Sequence, residues 1–599
     1  MFGTALLALM VFAALRLSIV PSVSRAQIPE AGESDIKLWV PMRDGVKLAT
    51  RVFLPKGAGK YPVILQRTPY RKESWVGGHE KWTQLEYVYV VQDVRGRFES
   101  EGTWYPFFQE KEDGYDTLAW IHQQPWCNGK VGMFGPSYNA TVQFGAVQGG
   151  GASLLTSLIP TFVHGDAWKR GWYSGGALYL FNSVWWACTT AGRTDHRSVL
   201  SGVDLGKLYK QLPLVTLAQK AGCGEAQFFS DIVTHYTHDE YWKAYGIHED
   251  FKLFTMPSLL ISGWYDYYAE DTFTTYKGFV DHAPSPEIAR SHKVLIGPWG
   301  HHHGMSARAK SGDYGVSALD FGSEASFDIH RFYQDWFDRT LKGIGPPPSK
   351  DAPVRIFVMG ANRWRDEYEW PLARTRYVKY YLHSGGKANT MDGDGVLRLD
   401  VPNEEPTDRY TYDPSNPVPT VGSNSSIGPD PRLKDLIWAG PADQRPVEQR
   451  NDVLSYTSAP FEKDTEVTGP IQLKLNASSS APDTDFVGRL VDVYPDGRAI
   501  NITEGVIRAR FRKKEYWENP KLIKPGIVYE YTIALQATSN VFMKGHRLRL
   551  DVTSSSFPLW DRNLNTGHLP WLDTQIKKAD QTIYHNRKYA SCLILPIIP

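Results

Sequence analysis

At 599 residues the chain is too long for one hydrophobic core and should divide into about three or four domains. Apolar and charged fractions of 42% and 22% are ordinary for a globular protein and argue against disorder. A formal net charge of +1 without a basic block argues against a polyanion-binding surface, so no nucleic-acid partner is implied.

In chain order, Ala5 to Leu15 is an uninterrupted apolar run and Ser24-Arg25-Ala26 has the small-x-small form of a cleavage site. This predicts a signal peptide over 1–26 and a mature protein exported to the periplasm or outside the cell. The positive n-region is missing apart from the amino terminus, and Arg16 interrupts the apolar stretch, so an uncleaved anchor is the alternative. No later stretch approaches the ~20 apolar residues of a spanning helix, so no stable membrane span is expected after processing. The four cysteines, Cys127, Cys188, Cys223 and Cys592, are too few for a disulfide scaffold. Cys188 with Cys223 is the pair to test first, against free buried thiols.

Residues 36–54 alternate apolar and polar around Asp44-Gly45, as a hairpin does. Tyr61 to Leu65, Tyr87 to Val91 and Val131 to Phe134 are short and hydrophobic on both faces, like strands of a buried parallel sheet. Lys111 to Gln123, between the last two, has helical spacing, which gives βαβ organisation. From about 162 to 250 the sequence becomes aromatic, Gly-dotted and helix-leaning. Strand-like runs resume at Pro257 to Ser262 and at Lys293 to Gly297, so the intervening piece reads as a cap inserted over the sheet edge. Ser326 to Leu341 reads as a closing amphipathic helix, with Phe327, Ile329, Phe332, Trp336 and Leu341 near one stripe. Gly345-Pro346-Pro347-Pro348 reads as a linker, after which β-rich sequence runs to the end. The expected architecture is α/β: an α/β-hydrolase core over 27–161 and 251–345, a helical cap over 162–250, and a C-terminal β jelly-roll sandwich over 351–599.

The apolar run Val131 to Phe134 ends in Gly135-Pro136-Ser137-Tyr138-Asn139-Ala140. A hydrolase nucleophile sits on a sharp strand-to-helix turn that frees backbone N–H groups for an oxyanion, and Gly135 and Pro136 suit such a turn at Ser137. A nucleophilic serine needs a base and an acid to orient it, in the chain order Ser, Asp or Glu, His. Asp266 follows the strand ending at Ser262 and His301 follows the strand ending at Ile296, so each candidate lies at the C-terminal end of a predicted parallel strand. Glu270 and Asp271 are alternative acids. The residues alone do not choose among His301, His302 and His303. Adjacent histidines point apart and no H-x-x-x-H spacing is present, so neither a metal nor any other cofactor is implied.

These motifs resemble the acyl esterase family that contains cocaine esterase, α-amino acid ester hydrolases and glutaryl-cephalosporanate acylases, and more remotely X-Pro dipeptidyl peptidases. The resemblance runs from about residue 36 to the C-terminus. It rests on Arg67-Thr68-Pro69-Tyr70, Asp93 to Gly102, Asn128 to Met133, Gly135-Pro136-Ser137-Tyr138, Gly263-Trp264-Tyr265-Asp266, Gly297-Pro298-Trp299-Gly300-His301, Gly440 to Pro446, Ser554 to Pro558 and Asp561-Arg562-Asn563. The family pattern G-x-S-Y-x-G is met except at Ala140, whose methyl is expected to crowd the helix–strand contact.

The resemblance implies Ser137 as nucleophile, His301 as base and then acid, and Asp266 as the group holding the imidazole. It also implies an oxyanion hole formed by the Tyr70 hydroxyl and the Tyr138 backbone N–H. The aromatic cap near Trp168 and Trp172 suggests substrate contacts. The expected reaction is cleavage of a small-molecule carboxylic ester through an acyl-enzyme, with an amide-cleaving relative as the alternative; a homo-oligomer is left open. Tyr268 and Ala269 stand where α-amino acid ester hydrolases place part of a carboxylate cluster, which predicts a weak preference for α-amino acyl groups. If Lys169 or Arg170 faced the pocket, an anionic acyl group such as glutaryl would fit; otherwise both belong to a solvated cap surface.

Overall fold

The computed structural model describes residues 34–224, 226–301, 319–326, 328–424 and 440–599. The segment read as a signal peptide lies outside the described residues, as do Phe327, His302 and His303.

The hairpin Asp35–Pro41 and Lys47–Phe53 forms one edge of a ten-stranded sheet. Beyond it, seven strands run parallel in the spatial order Val88–Asp93, Tyr61–Thr68, Cys127–Pro136, Ser157–Thr161, Leu259–Gly263, Lys293–Gly297 and Val354–Val358. Arg363–Glu367 closes the other edge antiparallel. Val63, Ile64, Leu65, Val90, Val91, Val131 and Met133 are completely or almost completely buried, because layers cover both faces of the sheet. Helices Glu110–His122 and Tyr138–Gln148 pack together on one face. On the other, Trp336, Phe337 and Leu341 pack with Phe134 and Leu259. Their helix begins at Ile329, and after Phe337 it loosens into a π turn over Asp338–Lys342.

Val354–Val358 and Arg363–Glu367 lie beyond the Pro-rich segment, yet they belong to the first sheet rather than to the second β region. Their alternation marks them as strands, but it carries no information about which sheet they join.

Between Thr161 and Leu259 the chain forms a layer of short helices, including Leu180–Thr190 and Gln227–Thr234, stapled by a Cys188–Cys223 disulfide. Cys127 and Cys592 are buried free thiols. The C-terminal region is an eleven-stranded β arrangement whose interior includes Ile471, Leu473, Leu475, Leu548, Leu550 and Val552. Its loops hold the helical layer: Asp561 accepts the Leu178 N–H at 2.7 Å, and the Phe181 N–H donates to the Pro558 carbonyl at 3.1 Å. Asp561 is itself paired with buried Arg508, which also binds Asp485. Burial pushes the Asp485 carboxyl up to about 6 against the pull of Arg508. The same region grips the helix Ala269–Asp281 where Ala537 N–H donates to Glu270 at 3.0 Å.

Candidate active site

Ser137 occupies the single residue between strand Cys127–Pro136 and helix Tyr138–Gln148, with φ 59° and ψ −125°. For a residue with a Cβ this is strained backbone. It is held there by its own N–H donating to the Thr161 carbonyl at 2.9 Å and by its carbonyl accepting from Ala140 and Thr141 at 2.8 and 3.1 Å. Gly135 is required beneath it: its φ is +144°, and a Cβ there would lie 2.6 Å from the Asn139 Cβ. Ala140 fills the main core with no solvent exposure.

Strands Leu259–Gly263 and Lys293–Gly297 are in register, Gly263 opposite Gly297, so their following loops emerge side by side. That register brings Asp266 Oδ2 to 2.6 Å from His301 Nδ1, with both side chains buried. The second Asp266 oxygen accepts the Tyr268 N–H at 2.6 Å, which fixes the carboxylate plane. Glu270 caps Ala537, and Asp271 accepts the Gly165 and Asp166 N–H groups at 2.5 and 2.9 Å. Both alternative acids are therefore engaged elsewhere.

Ser137, His301, Tyr70 and Tyr138 line one cavity of about 340 Å³. The Tyr70 hydroxyl accepts from Trp186 Nε1 at 3.0 Å. Tyr138 is the first residue of its helix, where backbone N–H groups have no intrahelical acceptor. Its hydroxyl donates to Glu110 at 2.8 Å and accepts the Phe107 N–H at 2.8 Å, and Glu110 is paired with Arg67 at 2.6 Å.

Arg97, inside the Asp93 to Gly102 motif, organises the rim. Its guanidinium donates to the Pro69 and Thr190 carbonyls, each at 2.9 Å, tying the Tyr70 loop to the end of helix Leu180–Thr190. Burial pushes the guanidinium down to about 10.

The aromatic wall differs in part from the reading of the sequence. Trp172 lines the cavity and packs edge-on to Trp186 at 5.4 Å between ring centres. Trp168 does not line it: its indole donates to the Tyr236 carbonyl at 3.2 Å and lies against Phe511 and Trp517 of the C-terminal region. Neither Lys169 nor Arg170 lines the cavity. They are not a freely solvated surface either, since Arg170 is buried and Lys169 Nζ sits 5.1 Å from the Trp517 ring centre. Asn182, Trp185, Trp186 and Thr189 also line the cavity. Their spacing of three, four and seven from Asn182 marks one helix face, a pattern visible in the sequence.

Comparison with known proteins places the chain in a family. Residues 44–303 match the family model of the X-Pro dipeptidyl-peptidase (S15 family), and residues 349–594 match that of the X-Pro dipeptidyl-peptidase C-terminal non-catalytic domain. Cocaine esterase of Rhodococcus sp. (strain MB1 Bresler) is 36% identical over 584 residues, covering 94% of this chain and 98% of that protein. The chain belongs to the CocE/NonD esterase and X-Pro dipeptidyl-peptidase (S15) family. It is a serine hydrolase. Among solved structures, an aminopeptidase from a marine sediment archaeon, Thaumarchaeota archaeon, superimposes with a TM-score of 0.79 at 25% identity, over 96% of this chain and 99% of that one. An α-amino acid ester hydrolase shares the fold with a TM-score of 0.77 at 24% identity, over 97% and 100% of the two chains.

Proposed function

We propose that this hydrolase cleaves small carboxylic esters, with Ser137 as nucleophile, His301 as general base and then acid, and Asp266 orienting the imidazole. The observation that carries the reading is the 2.6 Å contact from His301 Nδ1 to Asp266, made in a cavity that Ser137 and His301 share. Ser137 Oγ attacks the ester carbonyl as His301 Nε2 takes its proton. The tetrahedral oxyanion is received by the Tyr70 hydroxyl and the Tyr138 N–H. The proton then passes to the leaving alcohol, and a water activated by the same imidazole releases the acid. Two preformed donors suit the oxyanion, since each such donor is worth about 3–4 kcal/mol in other hydrolases.

An ester is favoured over an α-amino acyl substrate because Tyr268 and Ala269 bring no carboxylate to hold an ammonium. The positions of Lys169 and Arg170 give no support to an anionic acyl group. We read the helical layer as a cap, the C-terminal β region as a jelly roll that braces it, and the chain as exported after cleavage following residue 26. The Cys188–Cys223 disulfide supports an oxidising compartment. Kinetics with phenylacetyl, glutaryl and α-aminoacyl esters, and with the matching amides, test the substrate reading. The phenylacetyl ester should have the highest kcat/KM, and a clear preference for the α-aminoacyl ester or for any amide would overturn it.

A further inference from the structure

The cavity wall is rich in aromatic residues, and besides the indole N–H groups of Trp75 and Trp172 it holds two buried polar side chains, Asn182 and His164, with unmet hydrogen-bonding capacity among the described residues. Asn182, 5% exposed, has no partner for either its amide nitrogen or its amide oxygen among the described residues. His164, 6% exposed, has no partner for Nδ1 among the described residues. Both line the same cavity as Ser137. Buried polar groups are nearly always satisfied, and one left unpaired costs about 1–3 kcal/mol. A pair retained in an apolar pocket therefore points to a ligand group that completes it.

The class of that group follows from the donor and acceptor inventory. Asn182 offers two N–H donors and one carbonyl acceptor, so the complementary group must both accept and donate. A carboxylate has no proton to give and an ammonium has no lone pair. The imidazole of His164 stays neutral through the physiological range because burial pushes it down to about 4. Among the described cavity-lining residues only Asp195, which is exposed, carries an ordinary formal charge, so none of them is a buried counter-ion for a charged substrate.

We infer that Asn182 and His164 form a polar recognition pair that seats a neutral hydroxyl group of the substrate inside the aromatic pocket. The inference rests on the reading of the cavity as an esterase site and adds the substrate class: esters of hydroxylated aromatic acids. Asn182 sits on the first turn of helix Leu180–Thr190, on the face that also carries Trp185, Trp186 and Thr189, so the hydroxyl lies at the edge of an aromatic slot. A site built to bond a hydroxyl discriminates against the analogue lacking it far more strongly than an apolar pocket discriminates against an added hydroxyl.

The test compares 4-nitrophenyl phenylacetate with the 4-nitrophenyl esters of 2-, 3- and 4-hydroxyphenylacetate and of mandelate, using the full chain and its Asn182→Leu variant. At least one hydroxylated ester should exceed phenylacetate in kcat/KM by tenfold or more, and Asn182→Leu should bring that ratio below threefold. If the leucine variant does not fold, Asn182→Ala is read for the same ratio, and the ratios in the unaltered protein decide in any case. No hydroxylated ester beating phenylacetate, or a preference that survives in the variant, would overturn the inference. Fluorophosphonate labelling separates the two readings: a labelled Ser137 with no hydroxyl preference sinks only this inference, whereas an unlabelled Ser137 in an active protein sinks the esterase reading itself.

Discussion

Tyr138 binds Glu110 through its hydroxyl at 2.8 Å while its backbone opens the helix directly after Ser137. The bond ties the Ser137 turn to a buried chain of Glu110, Arg67 and Gln92 running back to strand Tyr61–Thr68. The proposed oxyanion donor at Tyr138 is thus positioned by its own side chain. Replacing Tyr138 with Phe leaves Glu110 and the Phe107 N–H each short of a partner. The variant should lose about 1–3 kcal/mol of stability, read as a lowered Tm or denaturation midpoint, and kcat should fall as well.

Tyr70→Phe removes one proposed oxyanion donor and leaves the hydrophobic contact. Stopped-flow or steady-state assays should show kcat reduced by about 10²–10³-fold, with KM changed little. A variant with full kcat would remove Tyr70 from the mechanism.

Gly135→Ala places a methyl against Asn139 at a positive φ. Both effects strike the turn that holds Ser137. A stability loss of roughly 2 kcal/mol or more is expected, with activity falling in parallel, measured by denaturant titration and ester assay.

The Cys188–Cys223 bond closes a 35-residue span inside the helical layer. Cys188→Ser with Cys223→Ser should lower stability by about 3–4 kcal/mol on the loop-entropy account, visible as a lower Tm that reductant reproduces in the unaltered protein.

His292 is buried, neither ring nitrogen has a partner among the described residues, and burial pushes it down to about 4. Its ordinary value is near 6.5, so as the pH drops below 6.5 the unfolded chain takes up the proton first. Stability on this account is complete above 6.5 and is lost as pH falls from there through about 4, by on the order of 3 kcal/mol. His292→Leu should flatten that part of the pH–stability curve, and an unchanged slope would contradict the assignment.

Much of this arrangement was legible in the sequence because it is built from local patterns. Apolar runs mark Tyr61–Thr68, Cys127–Pro136 and Leu259–Gly263 as buried strands, and Gly-x-Ser, the loop at Asp266 and the loop at His301 each follow such a run. In the sequence, the short offset from its strand favours Asp266 over Glu270 and Asp271. The Gly263–Gly297 register, and the partners that Glu270 and Asp271 find far away in the chain, are long-range features that spacing does not contain. The same limit explains Trp168 and Trp172. They stand four residues apart in one irregular turn, and only the packing of Phe511 and Trp517 against the first separates it from the cavity. That strands Val354–Val358 and Arg363–Glu367 pair with the first sheet is hidden for a related reason: period-2 alternation specifies a strand, while the identity of its neighbour is a long-range property.

The central claim is that Ser137 carries the acyl group during turnover, and the most direct measurement is rapid acid quenching with 4-nitrophenyl phenylacetate followed by peptide mass mapping. A phenylacetyl adduct should appear within one turnover on the peptide containing Ser137 and be absent from Ser137→Ala. An adduct on a different residue, or full ester hydrolysis by Ser137→Ala, would contradict the account.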